Sequence, residues 1–215
     1  MQKAGLVIAV DGPAASGKGT VASALAREYG LPHLDTGLLY RAVGVLTEAA
    51  GHDLDNAAAA AEIATTLDAL ALEDPTFRTR SAGEAASRVA VHPAVREALL
   101  DLQRRFAAQE AGAVLDGRDI GTVIAPDATA KLFVTAAAEI RAMRRWKQLL
   151  ADNEALSFDD VLADIRMRDE RDSLRAAAPL VRASDAALLD TSEMTIDHAF
   201  REACRLVEIA RSLKG

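Results

Sequence analysis

An apolar run, Leu6 to Val10, ends at Asp11-Gly12-Pro13-Ala14-Ala15-Ser16-Gly17-Lys18-Gly19-Thr20, and a helical pattern from Gly19 to Tyr29 follows at once. A G-x-x-x-x-G-K loop between a buried strand and a helix admits few architectures. Its glycines turn successive backbone N–H groups into one concavity, and the helix adds its positive end. Such a loop cradles the phosphates of a nucleoside triphosphate: Gly12 and Gly17 supply the unusual backbone conformations, and Lys18 reaches the β and γ phosphates. Gly19 follows the lysine, so the hydroxyl that would face Mg²⁺ comes one place later, at Thr20.

Four further short apolar runs, Leu31–Leu34, Ala113–Leu115, Lys131–Thr135 and Ala187–Leu189, read as buried parallel strands. Helical stretches separate them: one carrying Val95, Leu99, Leu102 and Phe106 on one face, then Glu139–Leu150 and Ile196–Leu213. The alternation predicts an α/β fold, a doubly wound five-stranded parallel sheet around the P-loop. Too many residues separate the second and third strands for a simple crossover, so an inserted helical subdomain is expected there, with a helix beginning near Leu54. The resulting division is a core of about 1–40, 107–150 and 176–215, an insert of about 41–106, and a lid with its following helix at about 151–175.

The 215 residues carry 25 Lys and Arg against 32 Asp and Glu, a net charge of −7, which disfavours wholesale binding to nucleic acid or an acidic membrane. Any anionic ligand must be held locally. One cysteine, Cys204, cannot close an intrachain disulfide and reads as a core filler beside Ala203 and Val207. With a first apolar run too short for a signal segment or a membrane span, a cytoplasmic monomer is expected. The four histidines show no metal-ligand spacing.

Three places beyond the cradle carry chemistry. Asp35-Thr36-Gly37-Leu38-Leu39-Tyr40-Arg41 follows the second strand, at the carboxyl edge where α/β sheets bind ligands; Thr36 would cap the next helix and Arg41 could meet an anion one turn in. Asp116-Gly117-Arg118-Asp119 follows the third strand: Asp116 is placed to orient Mg²⁺, Arg118 suits a phosphate and Asp119 suits an amino donor. Between Phe158 and Arg175, helical spacing brings Val161, Ile165, Arg168, Asp172 and Arg175 onto one stripe. The stripe turns from apolar to charged, as a ligand site would require and as a helix emerging into solvent would also show. Arg141, Arg144 and Arg145 form another basic cluster, readable as a solvated face or as a group over a transferring phosphate.

These segments together resemble the bacterial cytidylate kinases, P-loop nucleoside monophosphate kinases that favour the Gly19-Thr20 ending. The likeness covers essentially the whole chain, through GPAASGKGT, DTGLLYR, the region Ala86 to Phe106, DGRDIGTV and RDERDSLRAAAPL. It implies transfer of the γ-phosphoryl of ATP, with Mg²⁺, to CMP or dCMP. Carried onto matching positions, it implies Ser87, Arg96 and Asp119 at the cytosine ring. It implies Thr36, Tyr40, Arg41 and Arg118 around the acceptor, and Arg168, Asp172 and Arg175 at its ribose and phosphate. Cytosine offers an amino donor beside two acceptors, which a carboxylate, an arginine and a hydroxyl can read. The stretch between Leu67 and Ala86 is shorter than in relatives whose insert holds a three-stranded sheet, leaving Leu70–Leu72 and Phe77–Thr79 as strand candidates.

An acceptor phosphate has a second pKa near 6 and is already a nucleophile at neutral pH, so no catalytic base is required. Lys18, Arg118, Arg168 and Arg175 would neutralise the moving phosphoryl, and a lid at Ala151–Asp160 would exclude water. Two rivals share the cradle. A kinase acting on an alcohol would need a base near its acceptor, and a nucleotide-dependent switch would show no acceptor-stimulated turnover.

Overall fold

The computed structural model describes residues 5–67, 72–151 and 156–214. Strands β1 (Leu6–Asp11), β2 (His33–Asp35), β3 (Gly112–Gly117), β4 (Ala130–Thr135) and β5 (Ala187–Asp190) form one sheet in the order β2-β3-β1-β4-β5. Every neighbouring pair is parallel. The doubly wound five-stranded α/β sheet read from the apolar runs is therefore present. Chain connections leave β1 toward β2 and leave β3 toward β4, so the crevice between β1 and β3 is the switch point where such sheets bind ligands. In that register Val10 lies beside Asp116 and Asp11 beside Gly117.

Helices α1 (Lys18–Tyr29), α2 (Thr36–Ala49), α3 (Ala57–Thr65), α4 (Arg80–Val89), α5 (Pro93–Ala107), α6 (Ala138–Ala151), α7 (Phe158–Leu174) and α8 (Ile196–Lys214) flank the sheet. Val21, Leu25, Ala203 and Val207 of α1 and α8 bury one face with Ile8, Val10, Leu132 and Val134. Leu39, Val43, Val95 and Leu99 of α2 and α5 cover the other with Ala9, Leu115 and Ile120. A side chain such as Leu25 or Leu99, fully buried here, contributes about 1.5–3 kcal/mol relative to exposure. Cys204 packs at the margin of the α1/α8 layer, as its neighbours suggested.

Several boundaries differ from the sequence expectation, each for a local reason. Strand β2 begins at His33, because Gly30 ends α1 in the left-handed conformation (φ 63°) and the Leu31 amide is spent on the Ala26 carbonyl. Helix α3 starts at Ala57 rather than near Leu54, since the Asn56 side chain accepts the Ala59 N–H and caps it. Phe77–Thr79 is not a strand: Asp74 and Pro75 start a short 3₁₀ turn over Pro75–Arg78, with Phe77 buried against Leu38 and Ala42. Residues 70 and 71 of the other strand candidate lie outside the described residues, and among the described residues of the insert no strand occurs. Thr36 is not a cap. Asp35 holds the cap position, and the Thr36 hydroxyl donates to the Asp116 carbonyl at 2.8 Å. Of the expected lid, 152–155 lie outside the described residues, Ala151 ends α6, and Ser157 caps α7 by accepting the Asp160 N–H.

Candidate active site

The cradle wraps the carboxyl end of β1. Gly12 has φ 154°, and a Cβ there would lie 2.0 Å from the Val134 carbonyl oxygen, so the loop passes where a side chain cannot. Gly17, at φ 87°, caps α1, and Ala15 is held at φ 58°, a left-handed conformation that costs energy in a non-glycine residue. Lys18 lines a cleft of about 770 Å³ with Ala14, Ala15, Arg41, Arg118 and Arg168. Desolvation lowers its ammonium to about 7; nearby Arg118 adds to the depression and Asp116 opposes it.

Asp116, 2% exposed at the end of β3, faces the start of α1: a Cβ on Gly19 would lie 3.7 Å from its Oδ2. Its Oδ1 is paired with His33 Nε2 at 2.8 Å. His33 is opposite Val114 in the β2–β3 register, so the pair is the diagonal contact expected on one sheet face. Burial, and the repulsion of Asp116, raise the Asp35 carboxyl. Two carboxylates beside Lys18, one of them half engaged by histidine, fit a hydrated divalent cation carried in with the phosphates. Among the described residues no three His, Cys, Asp or Glu converge to cage a metal unaided.

A second, narrow pocket joins the cleft through Arg118 and Arg168, which line both. Thr36, Tyr40, Ser87, Arg96, Asp119, Asp172 and Arg175 complete it. Helix α4 brings in Ser87, α5 brings Arg96, and the turn after β3 brings Arg118 and Asp119. Asp119 pairs with Arg96 and lies 3.7 Å from Arg175. Burial raises its pKa against the pull of both arginines. Arg118 donates from Nε to Asp172 at 2.8 Å. Burial opposes the Arg118 charge, but Asp172, Asp116 and Asp35 together outweigh it and the pKa is raised; burial likewise opposes Asp172, whose pKa Arg118 and Arg168 nevertheless lower. Arg168 falls to about 10 through desolvation and the repulsion of Arg118, and Arg175 is lowered by burial and Arg96. Crowded cations with depressed pKa values in a chain of net charge −7 make a local anion site.

Four atoms in this pocket, Ser87 Oγ, Arg96 Nη1, Arg168 Nε and Arg175 Nη2, are buried without a hydrogen-bond partner. Native interiors seldom leave such groups unpaired, and four lining one pocket point to a polar ligand. Arg175 arrives by a different route from the one helical spacing suggests. Helix α7 stops at Leu174, and Arg175 turns extended (φ −60°, ψ 140°) into the pocket beside Asp172. Val161, Ile165 and Asp172 are buried along α7, so the charged stripe faces inward. Arg41 lines the cleft and donates weakly to the Phe77 and Thr79 carbonyls, both at 3.4 Å.

The basic cluster of α6 divides. Arg141 is buried, donating to the Ala14 carbonyl of the cradle at 3.2 Å and to both oxygens of Asp169, so it ties the cradle to α7. Arg144 donates to the Thr191 hydroxyl and carbonyl at 2.9 and 2.6 Å. With Thr20, Met194, Ile196 and Phe200, Arg144 and Thr191 line an apolar pocket of about 330 Å³ on the far side of the cradle. Sequence reading missed this pocket. Its signal is Thr191 directly after β5, again at the carboxyl edge of the sheet. Thr20 faces this pocket and does not line the Lys18 cleft.

A phosphate cradle at the sheet's switch point, opening on a basic cleft with a buried polar pocket, defines a P-loop phosphotransferase. The family model described as cytidylate kinase matches residues 8–209. The chain is 65% identical to the cytidylate kinase of Caulobacter sp. (strain K31) over 97% of each chain. It is 62% identical to that of Xanthobacter autotrophicus, over 96% of this chain and 99% of the relative, and 53% identical to that of Brucella suis biovar 1, over 95% and 93%. An uncharacterized protein from Eubacterium ventriosum shares the fold at a TM-score of 0.53 and 15% identity, covering 94% of this chain and 98% of that one. The chain belongs to the cytidylate kinase family.

Proposed function

We propose that the residues gathered between β1 and β3 carry out the family's reaction, in which the γ-phosphoryl of ATP passes to CMP or dCMP to give ADP and CDP or dCDP. The observation that carries the assignment of roles is the set of unpaired donors and hydroxyl that share the pocket with Asp119. Cytosine presents an amino donor that Asp119 can accept, beside N3 and O2 acceptors that Arg96 Nη1 and Ser87 Oγ can reach. Thr36 and Tyr40 wall the ring, Arg96 stacking 5.6 Å over Tyr40.

In this reading Gly12, Pro13, Ala14, Ala15, Ser16, Gly17, Lys18, Gly19 and Thr20 hold the donor phosphates, and the apolar pocket beyond Thr20 takes the donor base. Arg41 and Arg118 hold the acceptor phosphate, while Asp172 and Arg168 meet its ribose. The acceptor oxygen attacks as a dianion without a base. Lys18 follows the moving phosphoryl, with Arg118, Arg168 and Arg175 neutralising charge that spreads as it leaves ADP. Mg²⁺ would be held by Asp116, with Asp35 behind it, and would supply charge neutralisation for the donor phosphates; Thr20, turned toward the other pocket, is not placed to join them. Arg80 pairs with Asp164 and Arg171 with Glu84, drawing α4 of the insert onto α7 and shielding the cleft from water.

Among the described residues no helix is long and apolar enough to cross a membrane. A cytoplasmic, monomeric chain belongs to the same reading, supported by a single unpaired thiol and by an acceptor pocket that one chain completes. The test is ADP formation from MgATP with CMP, dCMP, UMP, AMP or no acceptor, with the products identified. Rapid CDP and dCDP formation with weak use of UMP is expected; ADP without a phosphorylated acceptor would overturn the reading.

A further inference from the structure

We propose that Asp11 is a positioning residue for acceptor recognition, holding the loop that carries Arg118 and Asp119 against the root of the phosphate cradle. It ends β1, directly before Gly12, and is 5% exposed. Its carboxylate turns away from the Lys18 cleft: Oδ1 accepts the Ile120 N–H and Oδ2 the Gly121 N–H, each at 2.8 Å. These amides open the π-helical turn Ile120–Ile124, whose own preceding residue is Asp119.

An Asp in that preceding position ordinarily caps the turn with its side chain. Asp119 makes no such bond, because its carboxylate is engaged with Arg96 in the pocket. Asp11 supplies the missing cap from a different strand and leaves Asp119 free to face the acceptor. A bidentate carboxylate is suited to two consecutive N–H donors. Gly121 suits the close approach too, since a Cβ there would lie 3.3 Å from Asp11 Oδ2 and 3.1 Å from Lys131 Cδ. Burial raises the Asp11 carboxyl to about 6 even though both amide bonds act to lower it, so a charge kept at this place is costly and calls for a function.

The inference rests on the reading of Asp119 as the base reader, and the experiment separates the two. The values of kcat/KM for CMP and UMP, and KM for ATP, are measured in wild type, Asp11→Asn, Asp119→Ala and the double variant. Asp11→Asn should lower CMP-over-UMP discrimination about tenfold, leave KM for ATP within about twofold, and add nothing once Asp119 is gone. An equal loss in both backgrounds, no loss at all, or a parallel rise in KM for ATP would overturn it. If Asp119→Ala leaves discrimination unchanged, the base-reading assignment itself fails and takes this inference with it. Should Asp11→Asn not fold, Asp11→Ser is read in the same way. In the wild type the Ile120 and Gly121 amides must also exchange as slowly as those of β1; rapid exchange refutes the contact.

Discussion

Arg96 Nη2 donates to the Asp119 carboxylate across 23 positions of chain, joining α5 of the insert to the turn after β3. Both side chains are buried and line the same narrow pocket, so the pair fixes one wall of it. Replacing Asp119 by Ala removes the acceptor proposed for the cytosine amino group and should erode discrimination of CMP from UMP by about 1–3 kcal/mol. The ratio of kcat/KM for the two acceptors reads this directly; an unchanged ratio assigns base reading elsewhere.

Ser87→Ala separates binding from folding. Its hydroxyl is buried and unpaired, so its removal should leave Tm unchanged or slightly raised. The KM for CMP should rise by about fivefold, the worth of one hydrogen bond. A fall in Tm together with unchanged KM would make Ser87 a packing residue.

Lys18→Ala should fold with an unaltered Tm yet lose about 100-fold or more in kcat, because the charge proposed to follow the phosphoryl is gone. ADP release in a coupled assay and a melting curve on the same preparation suffice. Near-normal turnover would remove Lys18 from the chemistry.

The free Lys18 ammonium sits at about 7, lowered by burial and by Arg118. A polyphosphate beside it favours the charged form, so binding should raise the pKa and draw in a proton. Calorimetry in buffers of different ionisation heat should find uptake approaching one proton per MgATP at pH 8 and little at pH 6. Uptake that does not change between these pH values would contradict the depressed pKa.

Asp11 titrates at about 6 against an ordinary 3.8. Between those values the folded protein keeps a proton that the unfolded chain has released, so this group's contribution to stability falls as pH rises from 4 to 6. Asp11→Asn removes that slope. The stability of wild type relative to the variant should therefore decline by about 2 kcal/mol across this interval, measured by denaturant unfolding at both ends. A constant difference would mean that Asp11 stays charged throughout.

Much of this enzyme was legible before any coordinates. The apolar runs and the loop from Asp11 to Thr20 dictate a parallel sheet with a phosphate cradle, because few backbones satisfy a buried strand, two forced glycines and a helix start in so short a span. The clusters after β2 and β3 were visible as charges at strand ends. Helical spacing alone placed Arg168 and Asp172 on one stripe with Val161 and Ile165, since that periodicity is local geometry; burial of that stripe decided that it faces inward.

What the tertiary structure decided are relationships between distant segments. Arg175 reaches the pocket by leaving its helix, Thr36 bonds the Asp116 carbonyl instead of capping, and Arg141 braces Ala14. His33 reaches Asp116 through strand register, and Asp11 caps a turn more than a hundred residues away. Each depends on which strands are neighbours and how the insert folds over them, and hydrophobic packing summed over the whole chain sets that arrangement, not the residues beside any one of these side chains.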